Sequence, residues 1–117
     1  MKYRGSCHCG KIAFDVEFDG EIESAMSCNC SICQRKGSLL QFVPRTALQL
    51  LTPEDAASVY QFNQHKIKHR FCPTCGVSPY SEGSMPDGSA MAAINIRCLD
   101  DIDLTSIAVN HYDGRSL

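Results

Sequence analysis

The chain has no tryptophan, four tyrosines and five phenylalanines in 117 residues, so few large aromatic side chains are available to fill a core. It also lacks an excess of positive charge, with 11 Lys and Arg against 13 Asp and Glu and a formal charge of −2. Nucleic acid as the main partner needs a basic face, which this balance does not supply. No apolar run approaches the ~18 residues needed to cross a bilayer, and the opening residues carry no stretch of the kind a secretory signal uses. Linkers, repeats and low-complexity segments are absent. With 44% hydrophobic and 21% charged residues, the composition is too apolar for a disordered chain and too polar for a membrane protein. The length suits one domain over residues 1–117 with a modest core.

Cysteine is what the chain has in quantity. Eight in 117 positions is close to the density of small disulfide scaffolds, so these residues either staple the fold or hold metal. A Met start, followed by cysteines at positions 7 and 9 with no secretory signal, points to the cytoplasm. Thiols are kept reduced there, and clustered cysteines mean metal or redox chemistry.

The periodicity predicts a mainly β chain of short strands with one or two short helical turns. Ile12, Phe14, Val16 and Phe18 alternate with polar or small residues up to the turn pair Asp19-Gly20. Leu39 to Val43 is a short apolar run closed by Pro44. Val59 to Phe62, a turn at Asn63-Gln64, and the alternating stretch from Lys66 to Phe71 predict a hairpin. Met91 to Cys98 and Ile107 to Tyr112 are further strand candidates. Ser31 with Gln34 has the form of a capping box with Gly37 as its stop, and Thr52-Pro53 has the form of a helix start.

Seven cysteines fall into three clusters: Cys7-His8-Cys9-Gly10, Cys28-Asn29-Cys30-Ser31-Ile32-Cys33 and Cys72-Pro73-Thr74-Cys75-Gly76. Four thiolates around zinc at ~2.3 Å need sulfurs about 3.8 Å apart, which cysteines one or two residues apart reach in a tight turn. Cys7, Cys9, Cys72 and Cys75 are therefore expected to form a closed structural zinc site; a pair of disulfides is the alternative, disfavoured in a reducing compartment. The central cluster has three cysteines and no fourth nearby. An open zinc site for catalysis or substrate binding is the favoured explanation. A closed site completed by Cys98 or a histidine, and a redox pair at Cys30 and Cys33, are the others.

These motifs, in this order, resemble the glutathione-dependent formaldehyde-activating enzyme family, which includes centromere protein V. The shared pattern is Cys-x-Cys-Gly at 7–10, Cys-x-Cys-Ser-x-Cys at 28–33 and Phe-Cys-x-x-Cys-Gly at 71–76. The closing segment, with Asn95 to Asp100, Asp103-Leu104 and Asp113 to Ser116, is also similar. Asn29 stands where members often have His, and Gln34 where Arg is common. The resemblance implies an Mss4-like (β-tent) fold of short antiparallel strands stapled by zinc, and a catalytic zinc on Cys28, Cys30 and Cys33. It implies a carbon–sulfur lyase acting on thiol–aldehyde adducts, its partners a small thiol such as glutathione and an aldehyde such as formaldehyde. The alternative is a non-enzymatic, zinc-stapled binding or chaperone-like module.

Arg35 and Lys36 follow the central knuckle and are the candidates for substrate carboxylates, against solvated surface charge. Cys98 reads as a buried small hydrophobe within a strand. His65 and His69, among Lys66, Lys68 and Arg70, read as a charge-protected, solvated edge strand. His8 should point away from any metal held by its neighbours. Tyr80 and Tyr112 are either pocket walls or half-buried strand residues.

Overall fold

The computed structural model describes residues 1–62 and 66–116. The expected turn at Asn63-Gln64 and His65 lie outside the described residues. Among the described residues, ten strands form two sheets. The smaller consists of β1 (Lys2–Ser6), β2 (Ala13–Glu17) and β5 (Leu48–Leu50), in the order β1-β2-β5. The larger contains β3 (Ser24–Cys28), β4 (Leu40–Pro44), β6 (Ser58–Tyr60), β7 (Lys68–Phe71), β8 (Tyr80–Ser84), β9 (Ala90–Asn95) and β10 (Ala108–Tyr112). Its order is β10-β3-β4-β9-β8-β7-β6. One α-helix, α1 (Ser31–Lys36), and five short 3-10 turns complete the described elements.

The alternation read at 12–18 is the reason β2 has one buried face: Ile12, Phe14 and Val16 are buried, while Ala13, Asp15 and Glu17 are not. Phe14 is fully enclosed, and its ring meets Tyr80 of β8 edge-on at 6.1 Å, which joins the two sheets. Ala92 and Ile94 of β9 fill the larger sheet's side of the same core. On the opposite face of that sheet lie the alternate residues Met26, Leu40, Phe42, Met91 and Ala93, which line a groove described below.

Several expectations are corrected. β10 pairs with β3 in parallel, Tyr112 opposite Cys28, so the sheets are not wholly antiparallel. β7 is no solvated edge: it lies between β6 and β8, with His69 and Arg70 only 8% and 6% exposed. Burial of Arg70 is sustained by Glu82 and Glu54, whose carboxylates accept from its guanidinium at 2.7 and 3.0 Å. Ser31 is the first residue of α1 and Cys30 its N-cap, with no side-chain capping bond, so the capping box does not form. Gly37 does end the helix, at φ +70°, donating to the Cys33 carbonyl. Thr52 accepts from the Ala13 amide instead of capping a helix, and Glu54–Ala56 is a single 3-10 turn. The strand at 91–98 ends at Asn95, because the Asn95 side chain accepts the Arg97 amide and starts a 3-10 turn over Ile96–Cys98.

Candidate metal centres

The outer cysteines sit on two similar knuckles. After β1, Gly10 at φ +85° closes a turn on the Cys7 carbonyl, and the Ile12 amide donates to Cys7 Sγ at 3.3 Å. After β7, Gly76 at φ +81° closes on the Cys72 carbonyl, and the Thr74 and Cys75 amides donate to Cys72 Sγ at 3.4 Å. Glycine is required at both turns because this left-handed backbone strains other residues. The sulfurs converge: Cys9 Sγ is 3.7 Å from Cys7 Sγ and 3.5 Å from Cys72 Sγ, and all four lie within 4.8 Å of one another. A zinc tetrahedron has edges of about 3.8 Å, so the donor set fits that ion.

Thiols crowded this closely cannot all ionise alone. The Val77 and Cys9 amides bring Cys75 down to about 6. At Cys9 the Lys11 amide pulls downward, and the Cys72 sulfur and burial outweigh it, leaving the thiol at about 11. A divalent cation removes that conflict by compensating the charge of all four.

The central cluster is built where β3 runs into α1. Cys28 ends the strand, Cys30 caps the helix and Cys33 lies in its first turn. The three sulfurs lie within 4.8 Å of one another, and among the described residues no His, Cys, Asp or Glu completes the set. The Cys30 amide donates to Cys28 Sγ at 3.4 Å. Burial would raise the Cys30 thiol, but the Cys33 amide, the Cys33 and Cys28 sulfurs and the Ile32 amide together outweigh it and hold it below the ordinary value. Burial, then the neighbouring Cys30 sulfur, pushes Cys33 up to about 12. Three thiols with one pulled down and one pushed up are ready to share a cation, and they too fit zinc.

Cys98 stands apart from both groups. It is half-buried at the end of its 3-10 turn, and burial, with Cys7 and Cys75 nearby, pushes its thiol up to about 11. It is not the fourth member of the central cluster. His8 is exposed between its two cysteine neighbours. Arg35 is exposed and donates to the Ser31 carbonyl at 2.8 Å, along its own helix. Lys36 is also exposed, with its ammonium within electrostatic reach of Cys33 and Cys30. Tyr80 belongs to the core, whereas Tyr112 is exposed and lines a hollow beside Cys28.

Two cavities meet at the central cysteines. A hollow of about 330 Å³ is bounded by Cys28, Cys33, Asn29, Gln34, His111 and Asp113. A groove of about 980 Å³ starts from Cys28, Cys30 and Cys33 and runs over the larger sheet. The C-terminal segment closes over the knuckle: a Cβ on Gly114 would stand 2.5 Å from Cys28 Sγ. In the sequence, Asp113 to Ser116 stands out by its similarity to the family's closing segment, with no role attached. The Asp113-Gly114 pair was its only local signal.

A crystal structure of a Rhodobacter sphaeroides protein superposes with a TM-score of 0.77 at 26% identity, covering 94% of this chain and 100% of that one. The sequence model of the glutathione-dependent formaldehyde-activating enzymes matches residues 2–112, a span that takes in both cysteine clusters and every described strand. By that match the chain belongs to the glutathione-dependent formaldehyde-activating enzyme family.

Proposed function

We propose that the chain is a carbon–sulfur lyase that makes and breaks thiol–aldehyde adducts, of the type S-hydroxymethylglutathione from glutathione and formaldehyde. The observation that carries this reading is the three-cysteine cluster, which opens onto two cavities with no fourth side-chain ligand among the described residues. Cys28, Cys30 and Cys33 would hold the catalytic zinc, and Cys7, Cys9, Cys72 and Cys75 a structural one. When bound at the open centre, zinc supplies a Lewis acid that lowers the pKa of a thiol.

The chain's own residues do the rest. Amides at the start of α1 favour negative charge on Cys30. Lys36 places a positive charge beside that anionic cluster and, with Arg35, offers donors to substrate carboxylates. Arg35 uses one donor on Ser31 and keeps the others in solvent. In the forward direction the thiol sulfur bonds to the carbonyl carbon, the C=O becomes C–OH, and the thiol proton ends on that oxygen. Such thiol chemistry belongs in a reducing compartment, the cytoplasm.

NMR exchange spectroscopy on zinc-loaded protein tests the proposal. Adduct formation from glutathione and formaldehyde is expected to accelerate in proportion to protein, and Cys33→Ser to abolish the effect. No acceleration at high protein overturns the lyase and favours a zinc-stapled binding module.

A further inference from the structure

The groove that leaves the central cysteines does not look like a glutathione site. It lies on the face of the larger sheet opposite the core, and its walls include Ile32, Leu40, Phe42, Phe62, Ile67 and Met85. Phe42, Ile67 and Met85 are each 47% exposed, an apolar patch that a folded surface leaves open when something is to cover it. Two of the ionisable groups along it, Glu82 and His69, are already engaged. Glu82 accepts from Arg45 and Arg70, at 2.7 Å each. His69 stacks on Phe62 at 5.6 Å, and burial favours its neutral form. Lys66 is the charged lining residue with no ion-pair partner among the described residues. A tripeptide with two carboxylates and an ammonium would lose more hydration in this groove than it could recover.

The hollow on the other side of Cys28 and Cys33, with Asn29, Gln34, His111 and Asp113, is the more polar of the two cavities and suits the polar partner. Formaldehyde, which has no carbon chain, would leave the apolar groove filled with water. We propose that the groove holds the hydrocarbon substituent of a medium-chain or aromatic aldehyde, with its carbonyl carbon at the cysteine end and a polar thiol in the hollow. This rests on the lyase reading above and names its substrate class. The step is a plain addition: the S–C bond forms, the carbonyl π bond breaks, the thiol proton moves to oxygen, and nothing is oxidised or reduced.

The test uses the zinc-loaded full chain with two probes. First, 1-octanol, which cannot form an adduct, is titrated while the methyl resonances of Ile32, Leu40 and Ile67 are followed by NMR. Saturable shifts confined to these groups are expected. Second, acceleration of glutathione addition is compared for formaldehyde, butanal, hexanal and octanal. It should rise roughly two- to four-fold per added methylene, the value that transfer of a CH₂ from water implies. Phe42→Glu should cut octanol affinity about ten-fold and lower the octanal-to-formaldehyde ratio by a similar factor. Formaldehyde acceleration without a chain-length gain, or no octanol shifts in the unaltered chain, overturns the groove assignment and leaves the lyase standing. Octanol binding with no aldehyde accelerated overturns the lyase, and with it the aldehyde as occupant. Methyl shifts that follow protein concentration, with a dimer in sedimentation, assign the patch to a second copy and overturn the proposal.

Discussion

Asn29 and Asp113 are 84 residues apart in the chain, and the Asn29 side-chain amide donates to the Asp113 carboxylate at 2.9 Å. The clasp is reciprocal: the Arg115 amide donates to Asn29 Oδ1 at 2.9 Å, and the Asn29 amide to the Tyr112 carbonyl at 3.2 Å. Ser116 Oγ donates to the other Asp113 oxygen at 2.6 Å. Ser116 and then Asn29 hold the Asp113 carboxyl below its usual range, so the acceptor is charged at neutral pH. Asn29 is flanked in sequence by two candidate zinc ligands. The bonds therefore fix the backbone from which Cys28 and Cys30 project, as groups behind a metal's ligands do.

Asn29→Ala should lower metal affinity at the central site by about 10- to 100-fold, the range for lost second-layer contacts. The bonds are exposed, so global stability should fall by only about 1 kcal/mol. Chelator competition measures the first quantity and urea unfolding the second. An affinity loss no larger than the stability loss would show that the clasp is only a tether.

Gly114 makes a second, steric prediction. A methyl there would stand 2.5 Å from Cys28 Sγ and 3.4 Å from Cys30 Cβ, so Gly114→Ala must push the segment or the sulfur aside. Loss of the central metal is expected with the outer one retained, read as metal per chain after dialysis. Gly20→Ala, which would meet nothing within 4 Å, is the control and should keep both.

The sequence carried local structure well wherever neighbours in the chain determine it. Alternation at 12–16 marked the buried face of β2, and cysteine spacing marked both knuckles, because a tight turn around sulfur needs only the residues within it. The antiparallel pairing of β6 with β7 agrees with the expected hairpin, whose turn lies outside the described residues. Long-range partners were not legible. His69 and Arg70 look solvated until Glu54 and Glu82 arrive from elsewhere to make a buried arginine tenable. The parallel pairing of β10 with β3, and with it the clasp on Asn29, depends on a return of the chain that no local pattern encodes. The groove was hidden likewise, since Phe42, Ile67 and Met85 share a face only after three separate segments are brought together.

Acid should destabilise the protein in two stages. Burial, helped by Lys36, lowers the His69 pKa, so the fold favours neutral His69. The unfolded chain then takes up that proton first, and stability should fall as pH drops below about 6.5. At Glu82 burial pushes upward, but Arg45 and Arg70 outweigh it and hold the carboxyl below its usual range. Its contribution is full above about pH 5 and disappears as pH falls through the depressed value. Glu82→Gln should cost roughly 2–4 kcal/mol at pH 7, because Arg70 is left buried with only Glu54. It should also flatten the lower stage of the pH profile. His69→Gln should flatten the upper one, both read by urea midpoints across pH.

The two candidate metal sites should fail differently, because they join different things. Cys7 follows β1 in the smaller sheet and Cys72 follows β7 in the larger, so the outer cluster ties the two sheets together beside a small core. Structural zinc of this type contributes on the order of 10 kcal/mol to folding. Cys72→Ser, at a position with no solvent exposure, should therefore abolish cooperative unfolding. The central cluster connects only β3 to the helix that follows it, and Cys33→Ser should leave a folded chain with a modestly lower melting temperature. Metal and thiol counts sharpen the contrast. The unaltered protein should hold two zinc ions and present Cys98 as its one uncommitted thiol, slow to react because burial keeps it protonated to about pH 11. Cys33→Ser should hold one zinc and expose Cys28 and Cys30 to thiol reagent within seconds, ahead of Cys98. Cooperative melting that survives Cys72→Ser but not Cys33→Ser would reverse the roles of the two sites.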